Sequence, residues 1–172
     1  TNLVGAYNAD NVMAALAVGE HFGVPLEEGV KAIEAYVPSN NRSQMTRTEH
    51  NTLIIDAYNA NPTSMAAALE NFSNVEADCK VALLGDMLEL GEESEKEHVS
   101  VIRSAESRGF AKVCFVGREF MTASSQASFD QAHFFETSDA LAGWLASNPL
   151  EGATILIKGS RGTKMEKVIT VL

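Results

Sequence analysis

The sequence is poor in the features from which several protein classes are built. Its 172 residues include only two cysteines, Cys79 and Cys114. They have no CxxC spacing, so neither a disulfide framework nor a thiolate zinc site is expected. Both lie in apolar, strand-like runs, and the expectation is buried thiols in a reducing compartment. The four histidines, His21, His50, His98 and His133, are scattered, with no HxxxH or HExxH motif. Positive charge is scarce: 13 Lys and Arg stand against 23 Asp and Glu, a net charge of −10. That balance argues against nucleic acid as a partner, since phosphate backbones select clustered cations. No apolar run approaches the roughly 20 residues that span a bilayer, and no signal-peptide pattern opens the chain. A cytoplasmic protein without membrane insertion is therefore expected. A GxSxG nucleophile elbow and a Walker A loop are also lacking, so no catalytic residue is assigned and no self-sufficient catalytic apparatus is visible.

What is present is a well-punctuated α/β pattern, with 45% hydrophobic residues. Val12, Ala15, Leu16, Gly19 and Phe22 recur at helical spacing from Asn8 to about Gly23. Pro25 is a plausible first residue of a second helix, with Glu27 and Glu28 in its first turn, running to about Tyr36. Two helices with no strand before them cannot bury both faces, and they read as the tail of a preceding domain. After residues 38–41 the character changes. Strands are expected at 43–48, 52–55, 80–84, 112–116, 133–135 and 154–157. Helices are expected from Pro62 to Phe72, Ser94 to Arg108, Asp139 to Ala146, and from Thr163 onward. Residues 121–132, small and polar, read as a mobile surface stretch. Short apolar strands joined by helices predict a mostly parallel sheet with helices on both faces.

In open α/β sheets, ligands bind beyond the carboxyl ends of the strands. One such end carries Asp56, Tyr58, Asn59 and Asn61 before Pro62. Asp56 is placed to accept hydrogen bonds from a ribose diol. Asn59 and Asn61 offer donors and acceptors suited to an amide or zwitterion, although Asn61 also fits a helix N-cap. A second end runs Gly85-Asp86-Met87-Leu88-Glu89-Leu90-Gly91. Asp86 and Glu89 there suit an ammonium group or a cation; Glu92 and Glu93 fit a solvated turn feeding a helix. His98 falls inside that helix, where a structural role competes with a functional one. The end at Gly117-Arg118-Glu119 is generic. The last, Lys158-Gly159-Ser160-Arg161-Gly162, combines backbone N–H groups and cations as an anion cradle would, with a basic surface turn as the alternative.

The strings DAYNANPTSM, LLGDMLELGE with His98 downstream, and ILIKGSRGTKMEKV, in this order and spacing, resemble the C-terminal domain of the Mur ligases. The opening Gly5-Ala6-Tyr7-Asn8-Ala9-Asp10-Asn11 is similar to that family's G-x-H-N-x-x-N segment, with Tyr7 in place of the histidine. Arg42 falls where the family has a Gly-Arg motif, with Asn41 replacing the glycine. The resemblance implies a six-stranded Rossmann-like domain over residues 41–172, preceded in 1–40 by the last helices of the central ATPase domain. It implies ATP-dependent amide formation: ATP phosphorylates the carboxylate of UDP-MurNAc-tripeptide, and the amine of D-alanyl-D-alanine displaces the phosphate. The P-loop and the ligands for Mg2+ belong to the family's central domain, so a fragment inactive alone is expected. The resemblance places Asn8, Asn11, Arg42, Asp56 and Tyr58 around ATP. Asn59, Asn61, Asp86, Glu89, His98, Lys158, Ser160 and Arg161 fall on the substrate side. The absence of an Asp-Asn-Pro-Arg string disfavours one sister activity. Other Mur or folylpolyglutamate-type amide ligases, or a stand-alone nucleotide- or anion-binding regulatory module, are the alternatives.

Overall fold

The computed structural model describes residues 3, 5, 8–38, 44–126 and 130–172. Helices α1 (Asn8–His21) and α2 (Leu26–Ala35) come first, with Pro25 as the N-cap of α2 rather than its first residue. Then follow β1 (Gln44–Arg47), β2 (Thr52–Asp56), α3 (Pro62–Ser73), β3 (Lys80–Gly85), α4 (Ser94–Glu106) and β4 (Lys112–Val116). The chain closes with α5 (Arg118–Ala123), β5 (Ala132–Phe135), α6 (Ser138–Ser147) and β6 (Thr154–Lys158), then 3-10 segments at Arg161–Thr163 and Met165–Val171. The six strands lie in the order β1-β2-β6-β3-β4-β5. Only β1 is antiparallel.

Burial on both sides explains why the strands read as continuous apolar runs. Ile54, Ala82, Leu84, Val113, Phe115 and Leu156 face α3, α4 and α5. Leu53, Ile55, Leu83, Cys114, Ile155 and Ile157 face α6 and the C-terminal 3-10 helix. Helix α3 buries Met65, Ala68, Leu69 and Phe72. Helix α4 buries His98, Val101, Ile102 and Ala105, the same i, i+3, i+4, i+7 stripe. A histidine thus occupies a core position on α4. At the opposite edge of the sheet, buried Asn51 donates to the carbonyls of Leu150 (2.7 Å) and Leu172 (2.8 Å) and accepts from the Ala153 N–H (3.1 Å). This ties the start of β2 to the chain end.

Three expectations need correction. Residues 121–123 are not a mobile stretch: they complete α5, with Phe120 and Ala123 fully buried; residues 127–129 lie outside the described residues. Cys79 is half-buried in the bend before β3, and only Cys114 is a core thiol. Burial pushes the Cys114 thiol up to about 12. The last helix is 3-10, preceded by Lys164 in a left-handed conformation (φ 52°); its β-branched Val168, Ile169, Thr170 and Val171 are poor α-formers. Helices α1 and α2 pack mainly on each other, and Met13, Val18, Phe22, Leu26 and Val37 remain exposed.

Candidate functional site

Strands β2, β6 and β3 are neighbours, so the three loops leaving their carboxyl ends lie side by side. After β2 and β3 the chain turns to α3 and α4 on one face, and after β6 it turns to the 3-10 helix on the other. That divergence makes β6 a switch point, where open sheets leave a crevice.

The parallel register sets Asp56 opposite Lys158. The Lys158 Nζ donates to Asp56 Oδ2 at 2.6 Å and to the Asn59 carbonyl at 3.1 Å. The lysine side chain is 1% exposed and that of Asp56 is 18% exposed. Lys158 is therefore not an open cation waiting for an anion; it fixes one carboxylate oxygen and the backbone of the 57–60 loop. Asp56 keeps solvent access to the site. Ser160 is also buried. Its Oγ accepts from the Leu88 N–H (3.0 Å) and donates to the Ala60 carbonyl (3.4 Å), while its N–H donates to the Asp86 carbonyl (3.0 Å). One serine thus joins all three loops. Gly85 and Gly159 permit that approach: a Cβ on Gly159 would lie 2.9 Å from the Gly85 Cα and 2.8 Å from Thr163 Oγ1.

Asp86 is buried, and its two oxygens accept from the N–H groups of Phe120 (3.0 Å) and Glu119 (3.1 Å), the open first turn of α5. Burial pushes this carboxyl above the usual aspartate range, against the pull of those two N–H groups. A side chain on Gly117 would strike the Asp86 Oδ2 at 2.1 Å, and this glycine sits at φ 124°. His98 is 0% exposed and hydrogen-bonded through both ring nitrogens. Asp86 and His98 therefore belong to the frame, whereas the sequence reading set them among substrate contacts. The missed partners, Gly117 and the amides of Glu119 and Phe120, carried one signal, a glycine between a strand and an acidic residue.

The exposed side chains on these three loops include Tyr58, Asn59, Asn61, Leu88, Glu89 and Arg161. The Arg161 guanidinium stacks over the Tyr58 ring, 5.5 Å from its centroid. Asn61 caps α3: its Oδ1 accepts from the Ser64 N–H (2.8 Å), and the Asn61 N–H donates to Ser64 Oγ (3.1 Å). Capping uses the side-chain oxygen and not the Nδ2 group. Asn59 bends its Oδ1 back to the Ala60 N–H (3.0 Å). The start of α1 reaches the same end of β2. Leu3 bridges Gln44, which pairs with Ile55, and Gly5 and Asp56 line one cavity of about 110 Å³. The Asn8 N–H donates to the Gly5 carbonyl (3.0 Å), and Asn11 Nδ2 donates to Asn8 Oδ1 (3.1 Å). Arg42 and Tyr7 lie outside the described residues.

A second crevice, of about 380 Å³, opens beyond β4 and β5 and is walled on its other side by Leu88, Gly162 and Lys164 from the loops after β3 and β6. Its Lys167 is paired with Asp139 (2.6 Å) and its Arg118 with Glu136 (3.5 Å), so much of its charge is satisfied internally. Among the described residues no group of three His, Cys, Asp or Glu is placed to hold a metal ion.

Comparison with known proteins agrees with this architecture. Residues 41–161 match the family model described as Mur ligase, glutamate ligase domain. The UDP-N-acetylmuramoyl-tripeptide–D-alanyl-D-alanine ligase of Treponema pallidum is 34% identical over 99% of this chain, and that of Bacillus subtilis 33% over 97%. The chain spans 38% of the length of each of these relatives. A crystal structure of MurF from Acinetobacter baumannii superimposes with a TM-score of 0.84 at 29% identity, covering 96% of this chain and 37% of that one. With a family model over most of its length and relatives of this similarity along nearly all of it, the chain belongs to the Mur ligase family.

Proposed function

We propose that this chain works as the C-terminal part of an ATP-dependent ligase that joins D-alanyl-D-alanine to UDP-MurNAc-tripeptide, in cytoplasmic synthesis of peptidoglycan precursors. Residues 1–40 would end the central ATPase domain and 41–172 would form the domain that closes on it. The exposed apolar side chains of α1 and α2 support that division, because an isolated pair leaves them in water.

The observation that carries the reading is the contrast of exposed and buried polar groups over β2, β6 and β3. Side chains that suit a nucleotide and a zwitterionic acceptor face solvent, on loops held by groups that do not. Asp56 would accept from the ribose, with Asn8 and Asn11 toward adenine and Tyr58 beside the nucleotide; Arg42 is assigned to the phosphates or ribose on sequence resemblance alone. Asn59 and Asn61 would orient the dipeptide, Arg161 would take its carboxylate, and Glu89 would attract its ammonium. Lys158, Ser160, Asp86 and His98 would act through these groups by fixing their loops. MgATP would supply the phosphoryl group, and no residue described here is assigned to its metal. The contribution of this chain is orientation and charge.

Phosphate release by the full-length ligase with MgATP and UDP-MurNAc-tripeptide tests the reading. Turnover with D-alanyl-D-alanine but not with single amino acids is the expected outcome. Turnover with a single amino acid would overturn the acceptor assignment. Its absence with every acceptor would favour a nucleotide- or anion-binding module.

A further inference from the structure

The turn after β3 is fastened at three consecutive amides, each to a different element. The Asp86 N–H donates to the Val116 carbonyl of β4 (2.9 Å). The Met87 N–H donates to His98 Nε2 of α4 (3.1 Å), and the Leu88 N–H to Ser160 Oγ (3.0 Å). The next residue, Glu89, is exposed and sits at φ 67°, one of two described non-glycine residues with positive φ. Such a conformation is disfavoured for a residue with a Cβ and persists where its surroundings over-determine it. The three fastened amides are that over-determination.

His98 is the member of this set that packing alone does not explain. It occupies a core position on α4 that the other three stripe residues fill with apolar side chains. Its Nδ1 lies 2.7 Å from the Ser94 carbonyl, an atom that only accepts, so Nδ1 carries the proton and Nε2 is left as the bare acceptor that Met87 requires. Asp86 Oδ1 stands 3.6 Å from Nε2, beyond hydrogen-bond length. Beyond its bond to Ser94 in its own helix, the imidazole holds the backbone of the turn that presents Glu89.

We propose that His98 is a positioning residue for the acceptor amine: in its Nδ1–H form it holds the 87–89 turn so that the Glu89 carboxylate stands over the strand ends to receive an ammonium group. This rests on the reading that the site takes an amine acceptor. A glutamine at 98 places an amide oxygen near the Nε2 position, whereas asparagine reaches only the Nδ1 position and leucine offers no acceptor.

The test is a double-mutant cycle in the full-length ligase, reading the KM for D-alanyl-D-alanine and for ATP separately. H98L is expected to raise the dipeptide KM about tenfold and leave the ATP KM within about twofold. H98Q should restore most of the loss and H98N little of it. E89Q should raise the dipeptide KM similarly, and the H98L/E89Q double variant should be no worse than E89Q, because His98 acts through Glu89. A dipeptide KM unchanged in H98L, one that rises in step with the ATP KM, or effects that multiply in the double variant would overturn the proposal. If H98L does not fold, H98Q against H98N decides. Amide hydrogen exchange gives a readout independent of activity. Faster exchange at 87–89 in H98N than in H98Q, with α4 protected in both, supports the latch; equal exchange overturns it. Wild-type enzyme that ignores the dipeptide would instead sink the functional reading, leaving exchange to judge the turn.

Discussion

Two buried charged contacts sit at the same edge of the sheet and do different work. At the β2/β6 corner, Lys158 binds one oxygen of Asp56, and the carboxylate remains partly open to solvent. At the β3/β4 corner, Asp86 spends both oxygens on the first turn of α5, beneath a glycine that has no room for a side chain. One carboxylate is oriented and left available, while the other is consumed in holding the frame. An acidic residue at a strand end is thus no guide to ligand binding until the fate of its oxygens is known. The partner side repeats the contrast: Lys158 spends its donors on Asp56 and the Asn59 carbonyl, whereas His98 turns its Nε2 to the Met87 N–H rather than to Asp86.

The comparison is broken most severely by removing the consumed carboxylate. Asp86→Ala strands two N–H groups in the interior and should cost about 2–5 kcal/mol, read as a lower urea midpoint. At the other corner, Lys158→Met leaves Asp56 without its cation, but that carboxylate has solvent to turn to, so a smaller loss of about 1–3 kcal/mol is expected. Equal losses would mean that the two corners are not distinct.

The same pair differs in its response to pH. The folded Asp86 carboxyl holds its proton to higher pH than in the unfolded chain, because burial penalises the charge. Its linked stabilisation is fully present below the unfolded pKa and is lost as pH rises through the folded value. Urea midpoints across the acid range should show this falling component in the wild type, and Asp86→Asn should remove it. An unchanged profile would contradict the assignment of Asp86 to the frame. The smallest effect separates capping from ligand binding at Asn61. Asn61→Ala should lose about 1 kcal/mol with the cap. Asn61→Asp keeps an accepting oxygen and removes the Nδ2 donors, so stability should hold while the dipeptide KM of the full-length ligase rises.

Much of the fold was legible because its signals are local. Apolar runs closed by Gly or Asp mark β2, β3 and β4, and Asn61-Pro62 marks the start of α3 at the residue observed. The candidate site residues are visible in the sequence as strings, but their division into exposed and buried groups is not. Lys158 reads as an open cation until the register between strands 102 positions apart sets it against Asp56. Helix α5 escaped notice for the same reason. Its first turn is satisfied by Asp86, more than thirty residues earlier, and its sequence carries no capping side chain of its own. The positive φ at Glu89 likewise follows a turn whose bonds to Val116 and Ser160 no short window of sequence displays.

The most direct test of this contrast is amide hydrogen exchange on the full-length ligase, with and without a nonhydrolysable ATP analogue and D-alanyl-D-alanine. The account predicts slower exchange at residues 58–61, with residues 118–121 and 137–140 unchanged. Protection at the second group without protection at the first would place the ligand at the β4/β5 crevice and contradict the assignment.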